Sequence, residues 1–271
     1  SVSGIVKYTW DNKYIINLNA RRDGSSRFAP GRQFGNFGSL GLAWIASDEE
    51  WMKKFLPSWI SFVKFRGSIG FTGSDGIGDY EYLSRWANTL ALGSSSINMY
   101  KYDGLQGFHI VRPVNQEFRW ESTQKSELAA NLGFWDNRIN VELAYYRNVS
   151  DNQLTNIATP LYSGFNSVLA NWQATVENKG FEVNMSARAI ESKDWGLQFN
   201  FNIVRNINKI IDFPGLETSS YNRKFRIGYS TGVKYLLHYT GINPMTGDYS
   251  FEDPNKGGKI MTEADNVPVS A

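Results

Sequence analysis

The chain has 271 residues, enough for one large β domain or two smaller ones, and its 28 basic residues nearly match its 26 acidic ones. That balance gives no general attraction to nucleic acid. Having no cysteine and only two histidines, His109 and His238, excludes disulfides, thiolate metal sites and cysteine nucleophiles, and leaves almost nothing for a histidine-ligated metal or a histidine triad.

The predicted elements open with a hairpin. Val6, Tyr8 and Trp10 share one face; Asp11 and Asn12 turn the chain; Ile16, Leu18 and Ala20 then alternate with Asn17, Asn19 and Arg21. A side-chain period of two marks a strand with one apolar face, and Asp-Asn tolerates the backbone of a tight reversal. Phe34 to Ile45 alternates more weakly, with Leu40, Leu42 and Trp44 opposite Gly41 and Ala43. The connection Ser47 to Ser58 holds SDEEWMKKF, a charged amphipathic segment. Its Glu49 and Glu50 read as a solvated turn rather than as paired glycosidase carboxylates. Val63, Phe65, Ile69 and Phe71 alternate with Lys64, Arg66, Ser68 and Thr72. After the long stretch Ser74 to Ser122, Leu128, Ala130, Leu132 and Phe134 alternate with Glu127, Ala129, Asn131 and Gly133. WDNR at Trp135 to Arg138 then repeats WDNK at Trp10 to Lys13, which predicts the same turn used twice. Ile139, Val141, Leu143 and Tyr145 follow, opposite Asn140, Glu142, Ala144 and Tyr146. Phe181, Val183, Met185 and Ala187, then Trp195, Leu197, Phe199, Phe201 and Ile203, continue the series.

This pattern predicts an all-β chain of about nine or ten strands, many longer than the usual 5–6 residues of a soluble sheet. Ten residues at about 3.3 Å each, tilted by about 45°, span about 23 Å, the height of the apolar band of a membrane barrel. The connections alternate in size: Asp11-Asn12, Asp136-Asn137, Ser192 to Asp194 and Pro244 to Gly247 are short, with Ser47 to Ser58 a longer member of that set. Asp23 to Gln33, Ser74 to Ser122, Asp151 to Asn178 and Phe213 to Ser230 are long. Short turns at one end and long loops at the other are how such barrels are built. A mean hydropathy of −0.39 does not oppose this, because a barrel places a polar side chain at every second position. No apolar run is long enough for a transmembrane helix, and SVSGIVKYTW lacks the pattern of a signal peptide. The alternative is a soluble all-β carbohydrate-binding or adhesin module, with the same apolar faces turned inward as a core.

Several strings carry a resemblance. ARRDGSSRFAPGRQFGNFGSLGLAW (Ala20 to Trp44), KFRGSIGFTGSDGIGDY (Lys64 to Tyr80), RWESTQKSELAANLGFWDNRINVELAYYRNVSDNQL (Arg119 to Leu154), ENKGFEV (Glu177 to Val183) and GINPMTGDYSFED (Gly241 to Asp253) are similar, in order, to segments of SusC/RagA-type TonB-dependent outer-membrane transporters. The resemblance implies an antiparallel barrel of about 22 strands around a plug, short periplasmic turns and long extracellular loops. Residues 1–271 would be a partial barrel domain from its middle to late part; the plug, the TonB-contacting segment and the final barrel strands are expected to lie outside this sequence. It further implies import of oligosaccharides or peptides, driven by TonB, under a SusD-like surface lipoprotein, in the outer membrane of a Gram-negative bacterium of the Bacteroidetes type. No enzymatic activity, catalytic residue or cofactor is expected.

Candidate binding residues lie in the long loops. Trp86, Tyr100, Tyr102, Phe108, His109 and Arg112 fall between Ser74 and Ser122, and Tyr162, Phe165 and Trp172 in the next loop. Aromatic rings stack on a ligand while Arg and Asn supply hydrogen bonds; the competing role is packing between loops or against the lipoprotein. Trp10, Tyr14, Trp44, Trp135 and Trp195, near strand ends, read as a bilayer-interface belt. Asp253 and Asn255 open a weak calcium candidate, for Gly257 and Ala264 stand where an EF-hand loop needs an oxygen donor and its bidentate Glu. GSDGIGDY, from Gly73, lacks the spacing and following helix of a nucleotide fingerprint.

Overall fold

The computed structural model describes residues 1–92, 95–98, 101–165, 167–245, 247–251 and 266–269. Its architecture rests on β1 (Val2–Trp10), β2 (Tyr14–Gly24), β3 (Phe34–Ile45), β4 (Ile60–Ser74), β5 (Glu121–Phe134), β6 (Ile139–Asp151), β7 (Thr175–Glu191) and β8 (Gly196–Asp212). These strands form one sheet in strict chain order, each antiparallel to its neighbour in sequence. Among the described residues this sheet has 8 strands. The late hairpin, Tyr239–Ile242 with Tyr249–Phe251, pairs with itself outside it.

The repeated string is a repeated turn. Lys13 N–H donates to Trp10 O at 3.0 Å and Arg138 N–H to Trp135 O at 3.1 Å. Asp11 and Asn12 have φ of 49° and 52°, Asp136 and Asn137 of 56° and 60°. Two left-handed centre positions define the turn whose twist matches that of the strands it joins, and Asp and Asn are the non-glycine residues that accept it most readily. Each turn is then tied down by the strand beyond: Ile45 N–H reaches Lys13 O, and Arg188 N–H reaches Arg138 O, both at 2.8 Å.

At this turn end, β3 and β4 are joined by a short 3₁₀ turn (Ala46–Asp48) and α1 (Glu50–Phe55). Glu49 fixes the connection to the first hairpin, accepting Tyr14 Oη at 2.6 Å and Trp44 Nε1 at 3.3 Å, with Lys13 Nζ at 3.6 Å. The Tyr14 hydrogen bond, with smaller help from Trp44 and Lys13, holds the Glu49 carboxyl below its ordinary value. The aromatic belt gathers here too: Trp10 stacks on Tyr14 at 5.5 Å, and Trp59 on Phe134 at 5.7 Å and beside Trp135 at 6.1 Å.

Register turns the alternation of each strand into rows across the sheet. One row reads Lys7, Asn17, Gly41, Ser68, Glu127, Tyr146, Gly180, Asn206; a row of the opposite face reads Trp10, Tyr14, Trp44, Phe65, Ala130, Leu143, Val183, Ile203. No second sheet covers the apolar face among the described residues: Leu128 is 67% and Phe181 63% exposed. The inward-turned core of the soluble-module alternative is therefore not what these strands form. Deep burial is concentrated instead at the loop end, in two clusters built largely from the connections.

Candidate functional site

The polar face is organised around Arg66 of β4. Its guanidinium donates to Glu127 of β5 at 3.2 Å and pairs with Glu142 of β6, with the Asn131 side chain at 3.5 Å. The partners are 61 and 76 residues away in sequence. Only the antiparallel register brings them to one spot. Beside them, Lys64, Asn131, Glu142, Asn184 and Asn202 form a single transverse row. This part of the face lines a hollow of about 700 Å³. A second hollow of about 600 Å³, lined by Lys125, Tyr146, Asn148, Asn178, Glu182 and Asn206, continues it toward the loops.

Asparagine dominates because each side-chain amide both donates and accepts. Asn208 Nδ2 donates to Asn178 Oδ1 at 2.9 Å, and Asn208 Oδ1 in turn accepts Thr231 N–H and Oγ1, each at 2.9 Å, and Ser230 Oγ at 3.1 Å. Tyr146 Oη crosses to Asn206 Oδ1 at 2.9 Å. It passes over Gly180, where a Cβ would stand 2.8 Å from that hydroxyl and collide with the Arg205 carbonyl oxygen. The ENKGFEV string thus carries a glycine where a ring must cross. Chemically, the face offers neutral hydrogen-bonding groups and locally compensated charge, suited to polar ligands that pass along it.

Above this face the loops form a cap. Phe28 (0% exposed), Ile77 and Phe118 pack with Tyr82, Trp120, Leu154 and Leu169. The two strings DGSSRFAPG and GSDGIGD meet here: Arg27 Nε donates to Asp79 at 3.0 Å and its Nη1 to the Asp75 carbonyl at 3.1 Å. The second cluster joins Trp172, Ala174, Val176, Ile210, Phe213 and Phe225 with Ile157, Leu216 and Tyr221. A hairpin, Gln153–Ala158 with Ser167–Trp172, contributes to both.

The expected binding residues divide. Trp172 is only 9% exposed and lies within about 5–6 Å of Phe213, Phe225 and Tyr221, so it belongs to the loop core rather than to a ligand-stacking surface. Arg112 is committed within its own loop, donating to Tyr80 O at 3.0 Å and Leu83 O at 3.2 Å and pairing with Glu81. His109 pairs with Ala87 in the ladder joining His109–Arg112 to Arg85–Ala87. Its Nδ1 is buried with no hydrogen-bond partner among the described residues. Trp86 and Phe108 remain exposed, and Tyr162 is 93% exposed. Phe165 is half-buried, its N–H bonded to Ser163 Oγ at 3.3 Å. Tyr102 pairs with Leu105 in a two-residue ladder. Tyr100 and the calcium candidates Asp253 and Asn255 lie outside the described residues.

Sequence reading assigned polar side chains to this face but did not single out the Arg66 triad or the Asn178–Asn208 link. The signal was there as charge at inward positions of three strands, without the register that joins them.

The chain matches the β-barrel family described as TonB dependent receptor-like over residues 2–259. A TonB-dependent receptor of Formosa agariphila is 33% identical over 261 residues, covering 92% of this chain and 24% of that protein. The TonB-dependent receptor SusC of Bacteroides thetaiotaomicron is 30% identical over 246 residues, covering 89% of this chain and 24% of SusC. The solved RagAB peptide importer in its closed-closed state superposes with a TM-score of 0.78 at 24% identity, over 98% of this chain and 28% of that one. This chain spans about a quarter of the length of the curated relatives it matches.

Proposed function

The chain belongs to the TonB dependent receptor-like β-barrel family, and from that premise we propose that it supplies wall strands and outer loops to an importer in the outer membrane of a Bacteroidetes-type bacterium. The observation that carries this reading is the pair of opposed faces. An uncovered apolar face suits lipid, and an asparagine-rich face suits a lumen. The turn end then lies toward the periplasm and the loop cap toward the exterior. An open sheet leaves edge backbone groups that lipid cannot satisfy, so β1 and β8 would be covered by further strands of a barrel of about 22, closed around a plug.

The cargo is an oligosaccharide or a peptide, since the lumenal amides offer donors and acceptors to either. Trp86, Phe108 and Tyr162 are the exposed aromatic side chains best placed to stack on it, with Tyr100 and Tyr102 in the same loop as Trp86. A SusD-like lipoprotein would close over the cap, and TonB would act through parts of the protein beyond these strands. No residue here is assigned covalent chemistry.

The test is uptake by cells carrying the full-length protein, offered panels of labelled glycans and peptides with and without the proton-motive force. Saturable import of one class that stops when the force is dissipated is the expected result. Absence of both, or a folded monomer in detergent-free buffer, would sink the reading.

A further inference from the structure

Cations on the apolar face are not scattered. Arg22 sits at one side, over the Phe34 ring at 4.8 Å. The others, Arg147, Lys179, Arg205 and Lys209, lie together on β6, β7 and β8 where these strands approach the loop end. Register makes them neighbours: Arg147 pairs with Lys179, Arg205 with Phe181, and Lys209 with Glu177. They fall within about 10 Å across the strands and about 13 Å along them. The one acid among them is Glu177, 2.6 Å from Arg147 Nε and 2.9 Å from Lys179 Nζ. Arg205 and Lys209 are exposed and enter no ion pair among the described residues. Four cations against one carboxylate leave a net charge of +3.

Immediately toward the turn end lies an apolar groove of about 500 Å³, lined by Phe65, Leu128, Leu143, Tyr145, Phe181 and Val183. Its upper lip is the Tyr145–Phe181 ring pair, 4.9 Å between centroids and two residues along the ladder from Arg147 and Lys179, on the same face. Charge at a lipid-facing position is unfavourable near the midplane and tolerated near the interface, where an anionic surface attracts it. A cationic shelf above an apolar groove therefore complements one kind of molecule, an amphiphile with an anionic head.

We propose that this shelf binds the phosphorylated headgroup of an outer-leaflet lipid, with its acyl chains lying in the groove below. This inference rests on the reading of the sheet as barrel wall. Full-length protein in neutral detergent would be titrated with dioleoyl phosphatidic acid and, separately, dioleoyl phosphatidylcholine, and bound lipid counted by native mass spectrometry. The informative variant is Arg205→Gln with Lys209→Gln, which leaves both ion pairs to Glu177 in place. Wild type should retain phosphatidic acid in preference to phosphatidylcholine, and the double variant should retain it roughly thirtyfold less well. Lys125→Gln, on the opposite face, should leave lipid retention unchanged, and millimolar inorganic phosphate should not displace the lipid. Equal retention of both lipids, an unchanged double variant, an equal loss with Lys125→Gln, or displacement by phosphate would each overturn the proposal. A protein that binds no detergent would overturn the barrel reading with it, a result distinguishable from the others.

Discussion

The wall and the cap solve the burial problem in opposite ways. In the cap, Phe28, Phe118 and Ile210 are enclosed by protein, as in a small soluble domain. In the wall, Leu128, Phe181 and Ile203 stand open although they are as apolar. The period-two alternation is the same kind of pattern a soluble sandwich shows, so pattern alone does not say what covers a face. What differs is the solvent each part is built for. The cap brings its own core; the wall borrows one from lipid.

Breaking the cap should cost most. Phe118→Ala empties a fully enclosed site and should remove about 3–5 kcal/mol from the loop cluster. Hydrogen exchange of the full-length protein in detergent should record faster amides in residues 153–172 and unchanged protection in β6 and β7. Equal acceleration in the wall would mean that the two regions are one unit. Leu143→Arg on the apolar face should cost about 2–4 kcal/mol in vesicle refolding if it lies near the midplane, whereas Tyr162→Arg in the cap should stay within about 0.5 kcal/mol. Gly180→Val forces a side chain against the Arg205 carbonyl and the Tyr146 hydroxyl, and should cost about 1–3 kcal/mol. Its amide-exchange signature should lie along β7 and β8 rather than in the loops.

The smallest effect concerns Glu49. A carboxyl held below its ordinary value contributes stability above that value and loses it as pH falls through the folded-state one. Protection of the Ala46–Phe55 connection should therefore be flat from about pH 6 to 8 and decline below about pH 4, near the unperturbed carboxylate value. Glu49→Gln should abolish that dependence. A decline that persists in the variant would assign it to another acid.

Much of the wall was legible. WDNK and WDNR announced the same turn because Asp and Asn report directly on backbone that few other residues accept. INVELAYYR announced its two faces because alternation is a local property. The Arg66 triad was not, since it depends on which residue of β4 faces which residue of β5 and β6. Trp172 misled for a related reason: an aromatic side chain in a long loop looks alike in sequence whether it awaits a ligand or fills a core, and only Phe213 and Phe225, some forty to fifty residues on, decide. The stretch from Ser74 to Ser122 read as one loop because the strands described within it, such as Arg85–Ala87 and His109–Arg112, have four residues or fewer and are too short to leave a period.

The small hairpin of the cap has a consequence of its own. In its register Leu154 and Leu169 share one face, and Ile157 and Trp172 the other. The first face enters the cluster of Phe28 and Phe118, the second that of Phe213 and Phe225. A slip of one residue would exchange the two faces and spoil both contacts at once, so its alignment is specified from two sides. Slackening on either side is transmitted through six residues per strand to the other. The loops above the sheet thus yield together, like a keystone and its two half-arches, or not at all.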